Sequence, residues 1–375
     1  MPDAPQGTVA AEEITTAELR LAARNHGLPL EALRYPITPP GLHYLLIHYD
    51  IPVVDPESWR LSVGGSVGRE LSLSLDELRS RPAVTLAVTL ECAGNGRAQL
   101  SPRPVTMECA GNGRARLEPH VVSQPWLLEA VGTAEWTGVP VRDLLEEAGL
   151  GDGALEVLFT GLDRGVDGGV EQAYQRSLPL EEAAGGPLLA YAVNGVPLPP
   201  QHGFPLRLVV PGWYGMTSVK WLARIDVLTE PFAGYQQAVG YRFRSDEDDP
   251  GTPVTRMLPR SLMVPPGIPD FMSRARHLTP GPCRLEGRAW SGWAQIAGVD
   301  VSVDGGATWA PAELGEEPPA GAWRGWAFGW DAPAGEHELC CRARDEAGNQ
   351  QPVQADWNVG GYANTSVQRV PVTVA

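Results

Sequence analysis

One phrase occurs twice in this chain of 375 residues, and no other feature restricts its local structure and chemistry as much. Val88-Thr89-Leu90-Glu91-Cys92-Ala93-Gly94-Asn95-Gly96-Arg97-Ala98 returns as Val105-Thr106-Met107-Glu108-Cys109-Ala110-Gly111-Asn112-Gly113-Arg114-Ala115. Each copy is a short apolar, β-like run that stops at a cysteine and passes into a glycine-bearing loop ending in arginine. Glycine lets the backbone take positive φ and approach a ligand closely. A neighbouring guanidinium lowers a thiol's pKa and can hold an anion. Such a unit suits a soft metal or a reactive thiolate. A buried structural cysteine before a tight turn is the plainer alternative, and the rest of the chain bears on the choice.

The length allows two domains and a sizeable core. A hydrophobic content of 43% with 20% charged residues marks a folded globular protein rather than a disordered one. The net charge of −16 argues against nucleic acid or an anionic membrane as partner; a local arginine cluster would still admit an anionic substrate. Forty-three glycines and 36 prolines, with few long helical patterns, predict a loop-rich, mostly β architecture. The cysteines (92, 109, 283, 340 and 341) show no CxxC and no CxxCH, so neither a zinc ribbon nor covalently attached haem is expected. Reduced thiols in a cytoplasmic protein are the simplest expectation. The acidic N-terminus lacks the apolar core of an export signal, and no later run is long and apolar enough to span a membrane.

Along the chain, an amphipathic helix is expected over Ile14–Arg24, and a strand carrying His43 and His48 over Gly41–Ile51. Another strand is expected over 58–66, then a helix over Leu71–Arg79 with a serine N-cap. A helix from Pro140 presents Val141, Leu144 and Leu145 on one face and closes at Gly149. Strands follow over Leu155–Leu162 and 187–196. The second informative stretch, Gln201 to Gly212, runs from a His202-Gly203 loop into an apolar strand that starts at Arg207, with Ser218 and Lys220 just beyond. Charge, hydroxyls and bare backbone N–H groups at loop ends are what a phosphate-bearing cofactor needs. Residues 246–280, acidic and then proline-rich, read as a linker. From Cys283 onward, short alternating runs between Gly, Asp and Asn turns read as an immunoglobulin-like sandwich. Asp304-Gly305-Gly306 is a hairpin signal, and the many tryptophans of this third belong to core or interface.

These stretches together resemble the sulfite oxidase family of molybdenum-cofactor enzymes over almost the whole chain. The residues that carry the resemblance are the Cys-Ala-Gly-Asn loop, Pro125-Trp126, Thr133-Ala134-Glu135-Trp136-Thr137-Gly138, Gly161-Leu162-Asp163, His202-Gly203-Phe204-Pro205-Leu206-Arg207 and Ser218-Val219-Lys220-Trp221-Leu222. Gly287 to Gly292 and Val301 to Trp309 resemble that family's dimerisation domain. The fold so implied is an α+β molybdopterin-binding domain of sulfite-oxidase type followed by an all-β immunoglobulin-like sandwich. The corresponding division is an N-terminal extension (1–40), the cofactor domain (41–245), the linker (246–280) and the dimerisation domain (281–375). The resemblance further implies a molybdenum held by two pterin dithiolene sulfurs, two oxygens and one cysteine thiolate. Cofactor contacts would come from Tyr44, His48, Asp163, His202, Arg207, Ser218, Val219 and Lys220. The arginine of the Cys loop (Arg97 or Arg114) and Trp126 would line the oxyanion pocket. Tyr241 stands where the family places its active-site tyrosine.

Two departures bear on the details. The family pattern has one Cys loop and this chain has two, so the metal ligand is Cys92 or Cys109. Spacing from Leu75-Asp76-Glu77-Leu78 suits Cys92, and spacing to Trp126 suits Cys109. The run before Cys92 is the better strand, because Pro102 and Pro104 interrupt the other. Leu46 occupies the place of the family's substrate-binding arginine; Arg24-Asn25-His26 mimics the missing tripeptide but lies far upstream. The expected activity is oxygen-atom transfer to or from a small sulfur oxyanion, sulfite to sulfate by default, with a separate electron acceptor and no haem. Alternatives are a reductase of S-oxides, N-oxides or nitrate-like substrates, a cofactor-binding dimer without turnover, and a thiol enzyme using Cys92 and Cys109 as a redox pair.

Overall fold

The structure, a computed structural model, describes residues 25–95, 127–167, 169–246 and 248–375. Its first half is built from two five-stranded sheets. One runs in the order Leu71–Leu73, Leu61–Gly65, Leu222–Leu228, Glu156–Asp167 and Val170–Pro179. Its pair Leu61–Gly65 and Leu222–Leu228 is parallel, which demands a long connection between the two strands. That connection builds the second sheet: Val84–Glu91, Val131–Pro140, Leu188–Val193 and Val196–Pro197, with Arg207–Val209 also paired to Leu188–Val193. Leu61, Val63, Val157, Phe159, Ile225 and Val227 point into one core and meet Val141, Leu144 and Leu145 of the helix Val141–Ala148. Each such side chain contributes roughly 1.5–3 kcal/mol when removed from water. The helix ends at Gly149, whose φ of 69° is open to glycine and strained for most other residues.

The expected helix over Leu71–Arg79 divides in two. Leu71-Ser72-Leu73 alternates, so it pairs as a strand, and the helix is confined to Leu75–Arg79. Ser74 and Glu77 form a capping box at the junction. The strand expected over Gly41–Ile51 does not form. Pro39 and Pro40 set a 3-10 turn over Pro40–Leu42, and Leu45 makes only an isolated bridge to His26. The side chains that follow are committed to a pocket instead of a ladder.

In the second half, a four-stranded sheet (Arg260–Met263, Gly281–Trp290, Arg324–Ala332, Glu313–Leu314) shares a core with a six-stranded one. The latter is ordered Ile268–Pro269, Arg276–Leu278, Gln368–Val374, Gly335–Asp345, Ile296–Ser302 and Ala310–Pro311. Leu285, Val299, Val301, Trp326, Leu339, Cys341 and Val372 fill the space between. The strip 246–280, read as a linker, supplies strands to both sheets. Arg260–Met263 pairs with the end of Gly281–Trp290, and Arg276–Leu278 runs parallel to Gln368–Val374. All four residues of Arg260–Met263 are buried, so the strand shows no alternation to read.

The two halves are sewn together at the end of Val84–Glu91. Glu91 is fully buried and accepts a hydrogen bond from Arg260 Nη1 at 2.6 Å and another from Trp290 Nε1 at 2.9 Å. Asn95 Nδ2 donates to the same carboxylate at 3.0 Å. Around them Ala93, Leu128, Tyr214, Met257, Leu262 and Trp290 form a core common to both halves. Among the described residues no helix is long and apolar enough to cross a membrane.

Candidate cofactor pocket

The strand Val84–Glu91 delivers Cys92 into a pocket lined by residues from both sheets of the first half and from the 43–48 segment. The Cys92 N–H donates to the Ala130 carbonyl (2.9 Å), and its own carbonyl accepts from the Asn95 N–H (2.9 Å). The Asn95 side chain then closes the turn by accepting from the Ala130 N–H at 3.0 Å. The asparagine of the repeated phrase is therefore a clamp that fixes where the thiol points. Arg97, Arg114, Trp126 and Cys109 lie outside the described residues.

The opposite wall is cationic. Arg207, at the start of its strand, donates to the carbonyls of His202 (3.1 Å) and Ser218 (3.2 Å), with its guanidinium 4.7 Å from the centre of the Trp136 ring. Lys220 Nζ donates to the carbonyls of Leu46 (2.8 Å) and Gln201 (3.2 Å) and sits 4.4 Å from the Trp221 ring centre. Among the described residues neither cation forms an ion pair with a carboxylate. Burial pulls Lys220 down to about 7 and Arg207 to about 10, and pushes the Asp163 carboxyl up to about 6. The same cause holds the imidazoles of His43, His48 and His202 neutral, at about 4, 3 and 2. Trp221 carries a φ of 47°, a costly conformation for a bulky residue, directly beside Lys220.

Tyr44, His48, Asp163, His202, Arg207, Ser218 and Lys220 all line this pocket with Cys92, as does Leu46. Val219 does not. Its side chain is in the hydrophobic core, while its N–H donates to the Thr217 carbonyl and its carbonyl accepts from the Leu208 N–H. Alternation along an extended segment accounts for this, since neighbours on either side of a pocket-facing residue face away. Tyr241 approaches from the side, its hydroxyl 2.7 Å from His48 Nε2. Asn25 and His26, far upstream in sequence, fold back beside this wall. His26 exchanges two backbone hydrogen bonds with Leu45, and the Ile47 N–H donates to Asn25 Oδ1 at 2.6 Å.

Three more residues line the pocket: His43, read from sequence only as a member of a strand, and Tyr174 and Gly215, which gave no sequence signal. His43 stands edge-on to His202 at 5.8 Å. Tyr174, on the strand Val170–Pro179, stacks on His48 at 4.6 Å and donates to the Met216 carbonyl at 2.7 Å. Gly215 is required by space, because a Cβ there would come within 2.3 Å of Tyr44 Oη.

The donor set fits a molybdopterin. Among the described residues Asp163 Oδ1 and His43 Nε2 are buried polar atoms without a hydrogen-bond partner, in a pocket that also presents Arg207, Lys220 and the hydroxyls of Tyr44, Tyr174 and Ser218. Such orphan groups are costly unless a polar ligand meets them. Among the described residues no three of His, Cys, Asp and Glu converge as a bare ion would need. A metal at Cys92 would therefore bring its remaining ligands with it, as a dithiolene-bearing cofactor does.

Fold and pocket together define the molybdopterin-binding oxidoreductases. Residues 48–236 match the family model for the oxidoreductase molybdopterin binding domain, and 260–375 match that for the Mo-co oxidoreductase dimerisation domain. The chain is 38% identical to sulfite oxidase of Gallus gallus, covering 89% of this chain and 72% of that protein. It is 37% identical to mitochondrial sulfite oxidase of Macaca fascicularis, over 90% of this chain and 62% of the relative. Nitrate reductase [NADH] 1 of Oryza sativa subsp. japonica is 31% identical, over 90% of this chain and 38% of that protein. The fold is shared with the sulfane dehydrogenase SoxCD of Paracoccus pantotrophus, at a TM-score of 0.77 and 24% identity, covering all of this chain and 95% of that one. The chain belongs to the sulfite oxidase family, and it spans 62% of the length of its mammalian relatives.

Proposed function

We propose that this chain is a molybdenum-cofactor oxidoreductase that moves an oxygen atom between water and a small sulfur oxyanion, with sulfite to sulfate as the reference reaction. The observation that carries this reading is the Cys92 thiol facing a pocket whose far wall holds Arg207, Lys220 and His202. Sulfite and water give sulfate, two protons and two electrons, and the electrons leave to a separate acceptor. The bound cofactor would supply the two-electron redox change and the site of oxygen transfer. Cys92 would be the thiolate ligand. Lys220, Arg207, Ser218 and the backbone around them would hold the pterin and its phosphate, and His202 and Asp163 would meet its polar edges. His48 and Tyr241, 2.7 Å apart, share a hydrogen bond and can hold a proton at the substrate side.

A reductase of S-oxides or N-oxides remains the second reading, favoured by Leu46, an apolar wall residue where a cation would strengthen capture of a dianion. The sandwich is read as immunoglobulin-like, and residues 281–375 with the strands contributed by 246–280 are read as the dimer-forming part. The two-sheet arrangement and the dimerisation-domain match support both statements.

The test is molybdenum and pterin analysis of protein from a cofactor-competent host, joined to sulfite-dependent reduction of ferricyanide. About one molybdenum per chain and activity in the wild type are expected. Cys92→Ser should lose activity by at least about 10³-fold, as removal of a metal ligand implies, while Cys109→Ser retains it. Retention in Cys92→Ser with loss in Cys109→Ser would transfer the ligand role to the second copy. A molybdenum-free, folded wild type would leave a binding protein.

A further inference from the structure

Arg176 is a buried cation that the proposed chemistry does not use. It lies two residues beyond Tyr174 on Val170–Pro179, on the same face of the strand as that pocket-lining tyrosine. Only 2% of its surface is accessible, yet no carboxylate among the described residues bonds to it. Its Nη1 donates to the Gln236 carbonyl, its Nε is buried without a partner, and its guanidinium stands 5.6 Å from the centre of the Tyr241 ring. Phenols surround it: Tyr174, Tyr241 and Tyr362. The side chain of Gln236 is turned away, donating to Tyr49 Oη (2.8 Å) and Asp167 Oδ2 (3.0 Å).

A guanidinium stays charged in a protein, and taking it from water without an anion is costly. Phenol faces and one carbonyl recover part of that cost and leave the positive field uncancelled. In a low-dielectric interior that field extends to neighbouring groups instead of being screened. The groups next in line are Tyr241 and Tyr174, and both reach His48 on the pocket wall: Tyr241 by its hydroxyl, Tyr174 by its stacked ring.

We propose that Arg176 is a cation that adds to this pocket's selectivity for anions on the Tyr241 side: a positioning residue, acting through Tyr241, that compensates for the apolar Leu46 in the wall. This rests on the oxidoreductase reading for its substrate but not for its field. An oxyanion entering between Leu46 and the His48–Tyr241 pair would feel a positive charge behind the tyrosine, with no guanidinium exposed at the surface. Arg176 would also keep the Tyr241 ring pressed toward His48 by its cation–π contact.

The experiment compares wild type, Arg176→Met and Arg176→Lys in three readouts. These are KM and kcat for sulfite with ferricyanide, molybdenum content, and binding of radiolabelled sulfate by equilibrium dialysis without turnover. Arg176→Met is expected to raise the KM for sulfite and weaken sulfate binding by about ten- to a hundredfold, with a smaller change in kcat. Arg176→Lys, which keeps the charge, should recover most of both. A merely structural role would lower molybdenum content and kcat while leaving KM and sulfate affinity unchanged, and lysine would not rescue; that pattern overturns the proposal. If Arg176→Met does not fold, the lysine variant decides alone: a KM more than about tenfold above wild type, at full molybdenum content, counts against a charge role. Should wild type fail to oxidise sulfite yet bind sulfate more tightly than Arg176→Met, the substrate assignment falls and the inference stands. If sulfite is oxidised and neither KM nor sulfate binding responds to Arg176→Met, the inference alone falls.

Discussion

His43, His48 and His202 crowd one pocket, and burial keeps all three neutral well below the ordinary imidazole value of 6.5. The unfolded chain takes up their protons as pH falls through 6.5, whereas the folded chain refuses them until about 4 or lower. Stability contributed by these groups is therefore complete above about pH 6.5 and is lost progressively as the pH falls from there. Asp163 works in the opposite direction. Its carboxyl, raised from 3.8 to about 6, favours the folded state as pH falls through that interval. Three groups outweigh one, so the cofactor-free protein should show a melting temperature that declines from pH 6.5 to 4.5, read by thermal scanning. His202→Asn should make that decline shallower. The sequence marks Cys92, His202 and Arg207 plainly: Cys92 follows a strand and opens the glycine-bearing loop, His202 precedes Gly203 in a turn, and Arg207 opens an apolar strand. Tyr174 and Arg176 look like ordinary members of an alternating strand, and nothing in one dimension shows that their face is turned to a pocket. Asn25 and His26 lie far upstream in sequence yet bond Ile47 and Leu45, because separation along the chain says nothing about a segment that doubles back on itself.

Among elements, the strand Val84–Glu91 carries the heaviest duty, since it presents the thiol at one end and anchors to the second half of the molecule at the same point. Removing one partner of a buried ion pair leaves an uncompensated charge, which costs about 3–5 kcal/mol. Glu91→Ala is expected to destabilise by that amount in urea titration, and to lower molybdenum content because Asn95 loses one of its anchors. The double variant Glu91→Leu, Arg260→Met should recover much of the stability, since no charge is then stranded. Elements with clean periodicity are readable: the helix Val141–Ala148 lies where its apolar spacing predicts, and the strand Glu156–Asp167 begins where expected but runs past Leu162, where the apolar run stops. The strands inside 246–280 are not, because prolines flank them and burial on both faces of Arg260–Met263 removes the alternation.

Across the whole molecule, the carboxylate beside Cys92 and the cation that neutralises it belong to different matched regions: Glu91 lies within 48–236 and Arg260 within 260–375. The shared core of Ala93, Tyr214, Met257 and Trp290 extends the same joint. Differential scanning calorimetry should accordingly give one cooperative transition; two separable endotherms would show that the halves unfold independently. The joint also sets a rule for anyone building chimeras. A dimerisation module grafted from a relative will be tolerated only if it brings a guanidinium at the position of Arg260 and an indole N–H at that of Trp290. Otherwise the recipient must surrender Glu91 in exchange, so the unit of recombination is this four-residue joint with Asn95, whichever sequence boundary is chosen for the cut.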